Sequence, residues 1–74
     1  MSINAGAIRL GHCYVTAGGE LRKVIDAQGE MITYVVRGKL AFPTWDKQRW
    51  RIESRGGFAH EVAREVSCDW REGA

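Results

Sequence analysis

Met31-Ile32-Thr33-Tyr34-Val35-Val36 is the least ambiguous segment of this 74-residue chain. β-branched and aromatic residues dominate it, the types that favour a pleated, half-buried surface. Side chains of a strand alternate between faces, so Ile32, Tyr34 and Val36 share one side and Met31, Thr33 and Val35 the other. Working back from it, Gln28-Gly29 marks a turn, Glu20-Leu21-Arg22-Lys23-Val24-Ile25-Asp26 a preceding strand, and Gly18-Gly19 a second turn. Ile8-Arg9-Leu10-Gly11-His12-Cys13-Tyr14-Val15-Thr16 supplies one strand more. Working forward, Gly38 ends the central strand, and residues 39–47, with the single proline Pro43, form a connection. In Gln48-Arg49-Trp50-Arg51-Ile52-Glu53-Ser54 the period of two returns; the expected arrangement buries Trp50 and Ile52 and turns Arg49, Arg51 and Glu53 to solvent. Past Gly56-Gly57 the spacing of Phe58, Ala59, Val62, Ala63 and Val66 becomes helical, which predicts one short helix over residues 58–67, with Glu61 at its electrostatically favourable first turn.

Short strands separated by glycine turns, followed by one late helix, define a mainly β chain: a small antiparallel sheet of four to five strands curled into a barrel. Residues 1–7 are small and polar and read as a loose terminus, residues 8–70 as one domain and residues 71–74 as a tail. A core of this size supplies only about 3 to 5 kcal/mol, so self-association into a homo-oligomer is expected. The two cysteines, Cys13 and Cys68, are too few for a disulfide-rich secreted scaffold. The opening residues lack the basic and apolar regions of a signal peptide. The expectation is a cytoplasmic chain with reduced thiols, Cys13 acting as a small buried hydrophobe and Cys68 as an incidental thiol. No apolar run approaches the roughly 18 residues of a membrane span, so no membrane partner is expected.

The net charge of +2 is small, but it is unevenly spread. Residues 37–55 carry six bases against Asp46 and Glu53, whereas residues 58–74 carry two bases against Glu61, Glu65, Asp69 and Glu72. Arginine outnumbers lysine eight to three, and the planar guanidinium is the better group for carboxylate and phosphate recognition. The candidate partner-binding residues are therefore Lys47, Arg49, Arg51 and Arg55, with Trp45 and Trp70 as apolar anchors. Three uses compete. Cations interleaved with exposed rings suit single-stranded nucleic acid. The same arginines suit an acidic protein surface, either a partner's or that of another copy of the chain. The plainest reading is a solvated outer face, with Trp45 capping the barrel and Trp70 packing beside Phe58.

Metal and enzyme chemistry have little support. His12, Cys13, His60 and Cys68 have Cys2His2 composition, but His12 and Cys13 are adjacent and point to opposite faces of a strand, unlike the close ligand pairs of structural zinc sites. Neither cysteine lies in a local frame typical of a nucleophile, and no Walker loop, Gly-x-Gly-x-x-Gly or His-Glu-x-x-His occurs. The chain is expected to have no cofactor, no metal and no catalytic activity.

Gly11-His12-Cys13-Tyr14-Val15-Thr16, Gly19, Arg22-Lys23-Val24-Ile25, Gly29 and Thr33-Tyr34-Val35 together resemble small bacterial SH3-like barrel proteins, often carried by phages, plasmids and other mobile elements. The resemblance spans about half the chain and implies an SH3-like barrel. It also implies a mobile-element setting, with a phage-borne inhibitor of host defence as a special case, and brings no catalytic motif. The plasmid-borne type II dihydrofolate reductases share this kind of fold, but their Val-Gln-Ile-Tyr pore motif is missing here. The expected function is a binding module for a protein partner, with nucleic-acid binding by residues 47–55 as the alternative.

Overall fold

A computed structural model describes residues 3–37 and 50–71. It contains five antiparallel strands: β1 (Cys13–Thr16), β2 (Leu21–Gln28), β3 (Met31–Arg37), β4 (Arg51–Ser54) and β5 (Val62–Val66). They form one curled sheet in the order β4-β3-β2-β1-β5, with a helix, α1 (Arg55–Glu61), between the last two in sequence. This is the small mainly β fold of five antiparallel strands, curled into a half-barrel with one short helix, that the strand pattern implies. Gly29, at φ 58, opens the two-residue turn between β2 and β3, as a hairpin with a positive first φ requires. A bulge between Val24 and Asp26 leaves Ile25 without a partner on β3, and such an extra residue increases the local twist that curls a sheet.

The helix is shorter and earlier than its spacing predicts. Val62 and Val66 fit a period of two as well as of four, and pairing with β1 decides between them: residues 62–66 become β5, with Cys13 opposite Val66 and Tyr14 opposite Glu65. The helix instead starts before its glycines, where the Ser54 hydroxyl accepts from the Gly57 N–H at 3.1 Å, an N-cap that offsets their poor propensity. A Cβ at Gly57 would lie 2.9 Å from Ser54 Oγ, so a side chain there would displace the capping hydroxyl. Arg55 fastens this corner. Its backbone N–H donates to Glu30 O, and its guanidinium donates to Ile8 O at 2.7 Å and Gly29 O at 3.3 Å.

The concave face holds the main core: Ile8, Tyr14, Val24, Ile32, Tyr34, Phe58, Ala59 and Val62. Phe58 sits at its centre, edge-on to Tyr14 and Tyr34 with ring centroids 5.6 and 5.0 Å away. Where the sequence suggests a loose terminus, Asn4 caps a 3-10 turn over Ala5–Ala7 and the Ile3 N–H donates to Ala59 O. The Tyr14 hydroxyl donates to Ala7 O and accepts from the Arg9 N–H, both at 2.9 Å, so the buried phenol is fully used.

A second, smaller core lies on the convex face, where Cys13, Val15 and Leu21 meet Val66, Cys68 and Trp70. Here the expectation of reduced thiols is corrected, because Cys13 and Cys68 form a disulfide across a Cα–Cα distance of 5.2 Å. Pairing of Cys13 with Val66 brings Cys68, two residues on, over the same face. Arg37 reaches across from β3 and donates to the carbonyls of Cys68 and Trp70. No helix among the described residues is long and apolar enough to cross a membrane.

Two stability measurements follow. Phe58→Ala removes a fully buried ring, a loss of about 3 to 5 kcal/mol, comparable with the whole stability of a domain this small. Urea melts are expected to show the variant largely unfolded at 25 °C, and a shift below about 1 kcal/mol would refute the central place given to this ring. The disulfide closes a loop of 55 residues, for which chain entropy gives about 4 kcal/mol; the Cys13→Ser/Cys68→Ser variant is expected to melt at much lower urea, and to be indifferent to reductant.

Candidate binding surface

The residues nominated from sequence do not form one patch. Trp45, Lys47 and Arg49 lie outside the described residues. Arg51 is exposed on β4, the outer strand of the sheet among the described residues. Arg55 is half-buried and its guanidinium is occupied by Ile8 and Gly29 carbonyls, so the corner of the fold uses it. Trp70 packs against the small convex core rather than beside Phe58, with the Arg64 guanidinium 5.8 Å above its ring. Arg51 and Trp70 thus sit at opposite ends of the strand order.

The orientation of β4 is the main correction. Arg51 pairs with Tyr34 and Glu53 with Ile32, while Ile52 pairs with Thr33 and Ser54 with Met31. Opposed residues in a ladder share a face, so Arg51 and Glu53 turn toward the concave side and Trp50 and Ile52 toward the convex side. The period of two holds and its sign is reversed. Trp50 is 56% exposed and Ile52 55%, and Met31 beside them is 47% exposed, so three large apolar side chains line one edge of the sheet.

A buried ion cluster lies under β4. Arg22, on the concave face of β2 opposite Val36 and Tyr14, is only 8% exposed. Its Nε donates to Glu20 at 2.7 Å and its Nη1 to Glu61 at 2.7 Å, with Glu53 Oε1 3.8 Å away. The guanidinium lies 4.7 Å from the Tyr34 ring centroid and 5.6 Å from that of Phe58, within cation–π range. Glu20 and Glu61 neutralise the buried guanidinium through direct hydrogen bonds, and Glu53 enters the same pocket from β4. Ile52 and Trp50, of the other parity, face out.

The cluster also sets its own protonation. Burial is the main cause that pushes the Glu53 carboxyl above the usual carboxylate range, and the adjacent Glu61 carboxyl adds to it. The hydrogen bond from Arg22 holds Glu61 below that range. Burial opposes the charge on Arg22, yet its bonds to Glu61 and Glu20 leave it more basic than usual. Glu53 Oε1 is buried without a hydrogen-bond partner among the described residues. The three carboxylates do not make a metal site, since no group of three or more His, Cys, Asp or Glu among the described residues is placed to hold an ion. With both sulfurs in the disulfide, neither cysteine offers a thiolate to a metal or a substrate.

Sequence reasoning missed Trp50, Ile52 and Met31 as surface residues and Arg22 as a buried one. The alternation of apolar and charged residues in β4 carries no mark of which set is buried. No protein-family model, no curated protein and no solved structure matches this chain.

A pH test isolates the cluster. The folded chain binds a proton at Glu53 more tightly than the unfolded chain, so ionising Glu53 costs stability as pH rises from the ordinary carboxylate range through its raised folded value. The depressed Glu61 works in the opposite sense: its contribution is present above the ordinary range and is lost as pH falls through its lowered value. Glu53→Gln mimics the protonated acid, so it is expected to melt higher than wild type at pH 7 and to converge with it at acid pH. Thermal melts across this range would refute the assignment if the variant were less stable at pH 7.

Proposed function

We propose that this chain is a non-enzymatic binding module that takes an extended apolar segment of a protein along β4. The observation that carries the reading is the exposure, by more than half, of Trp50 and Ile52 on the same face of an outer strand. Among the described residues β4 ends the strand order, and an outer strand offers N–H and C=O groups to a partner strand while side chains of one parity give selectivity. Tryptophan is among the residues most often found at interface hot spots. Of the cations nominated for a polyanion, Arg55 is engaged within the fold, which removes it from such a surface. Arg51, at the rim of the same strand, adds a cation for an acidic residue flanking the apolar contact.

The reading is tested by selecting from a library of random displayed peptides and by measuring oligonucleotide anisotropy in parallel. Apolar, extended peptides retained by the wild type and lost on Ile52→Lys are expected, with binding that changes little with salt. Tight oligonucleotide binding that falls steeply with salt and disappears with Arg51→Ala would replace this reading with the nucleic-acid one.

A further inference from the structure

We propose that the segment which β4 takes is β4 of a second copy, paired antiparallel about a two-fold axis at Ile52. The inference rests on the functional reading above and names its partner. A two-fold axis perpendicular to the sheet keeps each residue on its own face, so opposed residues must have numbers of the same parity. Among such registers, the one centred on Arg51 sets two guanidinium groups directly against each other. The one centred on Ile52 sets Arg51 of each copy opposite Glu53 of the other, and like charges directly opposed in a ladder are unfavourable while opposite charges are favourable. Registers centred on Arg51 or Glu53 oppose like charges, and one centred on Ser54 would use Arg55, whose guanidinium is already bound to Ile8 and Gly29 carbonyls, so the Ile52 register is favoured.

The convex face fits the same register by size. Ile52 meets Ile52 of the second copy on the axis, and Trp50 of one copy falls opposite Ser54 of the other. Ser54 is opposite Met31 on its inner side, so the large indole lies over a small residue with Met31 next in the row. All three exposed apolar side chains of this edge join one continuous strip, with the two Trp50 rings diagonal to the central isoleucines and within reach of them. On the concave side, Arg51 of the second copy comes alongside Glu53 of the first, both residues lying on that face of β4. A barrel of 74 residues has limited apolar area to bury alone, and an isologous edge-to-edge dimer extends its sheet across the axis.

The test is light scattering and sedimentation on the intact oxidised protein from micromolar to millimolar concentration. A mass of twice the 8.3 kDa chain is expected, with dissociation strengthened at least about tenfold by Ile52→Lys and by Arg51→Glu. Both positions are exposed, so circular dichroism should show each variant folded. The register is read separately: Ile52→Cys is expected to cross-link two copies under mild oxidation and Arg51→Cys is not. A dimer unaffected by Ile52→Lys, or cross-linked through Arg51→Cys instead, overturns the proposal. A chain that stays monomeric at every concentration also overturns it, and apolar peptides still selected through Ile52 would then show that the surface serves another protein. If the dimer does form, those peptides are expected to dissociate it.

Discussion

Arg22 is a guanidinium placed among aromatic rings on the inner face of a five-stranded sheet, and removing such a group from water is tolerable only when anions and donors' partners surround it. Three different parts of the chain answer that demand. Glu20 comes from the turn before β2, Glu53 from β4 and Glu61 from the last turn of α1. The positions of β4 and α1 relative to the sheet are therefore tied to one side chain. The same cluster accounts for the separation of two neighbouring carboxyls, one held ionised by a direct hydrogen bond to Arg22 and the other pushed toward its neutral form by burial.

The convex side is organised differently. There the Cys13–Cys68 bond, the two carbonyls that accept from Arg37 and the packing of Trp70 hold the end of the chain against β1 and β2. This second small core covers the β1–β5 end of the outer face, while Trp50, Ile52 and Met31 are exposed at the β4 end. The two ends thus divide the tryptophans by role: Trp70 stabilises the fold and Trp50 presents a surface. A sheet with one covered end and one exposed end is suited to contact along a single strand, the geometry on which both the binding reading and the self-pairing register depend.

Much of the architecture was legible locally. Glycine turns at Gly19 and Gly29, the alternation of β3 and the return of a period of two in β4 were sufficient for an antiparallel sheet curled into a barrel. The candidate surface was legible only in part, because the strand was nominated for its arginines whereas its large apolar residues are the exposed ones. Arg55 illustrates the difficulty: its charge is visible in sequence, but its three carbonyl-directed bonds come from segments near residues 8 and 30.

Sequence by itself determined the periodicities, since these follow from the backbone geometry of strands and the residues that tolerate turns. Tertiary structure decided the rest. Val62 and Val66 satisfied helical and extended spacing equally, and the unfilled edge of β1 drew them into β5. Trp50 and Ile52 alternated with Arg51 and Glu53 whichever way the strand was turned, and the register of β4 on β3 settled which pair faced inward. Cys13 and Cys68, 55 residues apart, became neighbours only because β5 lies beside β1. In each case the local pattern was degenerate, and the energy that resolved it came from a contact distant in sequence.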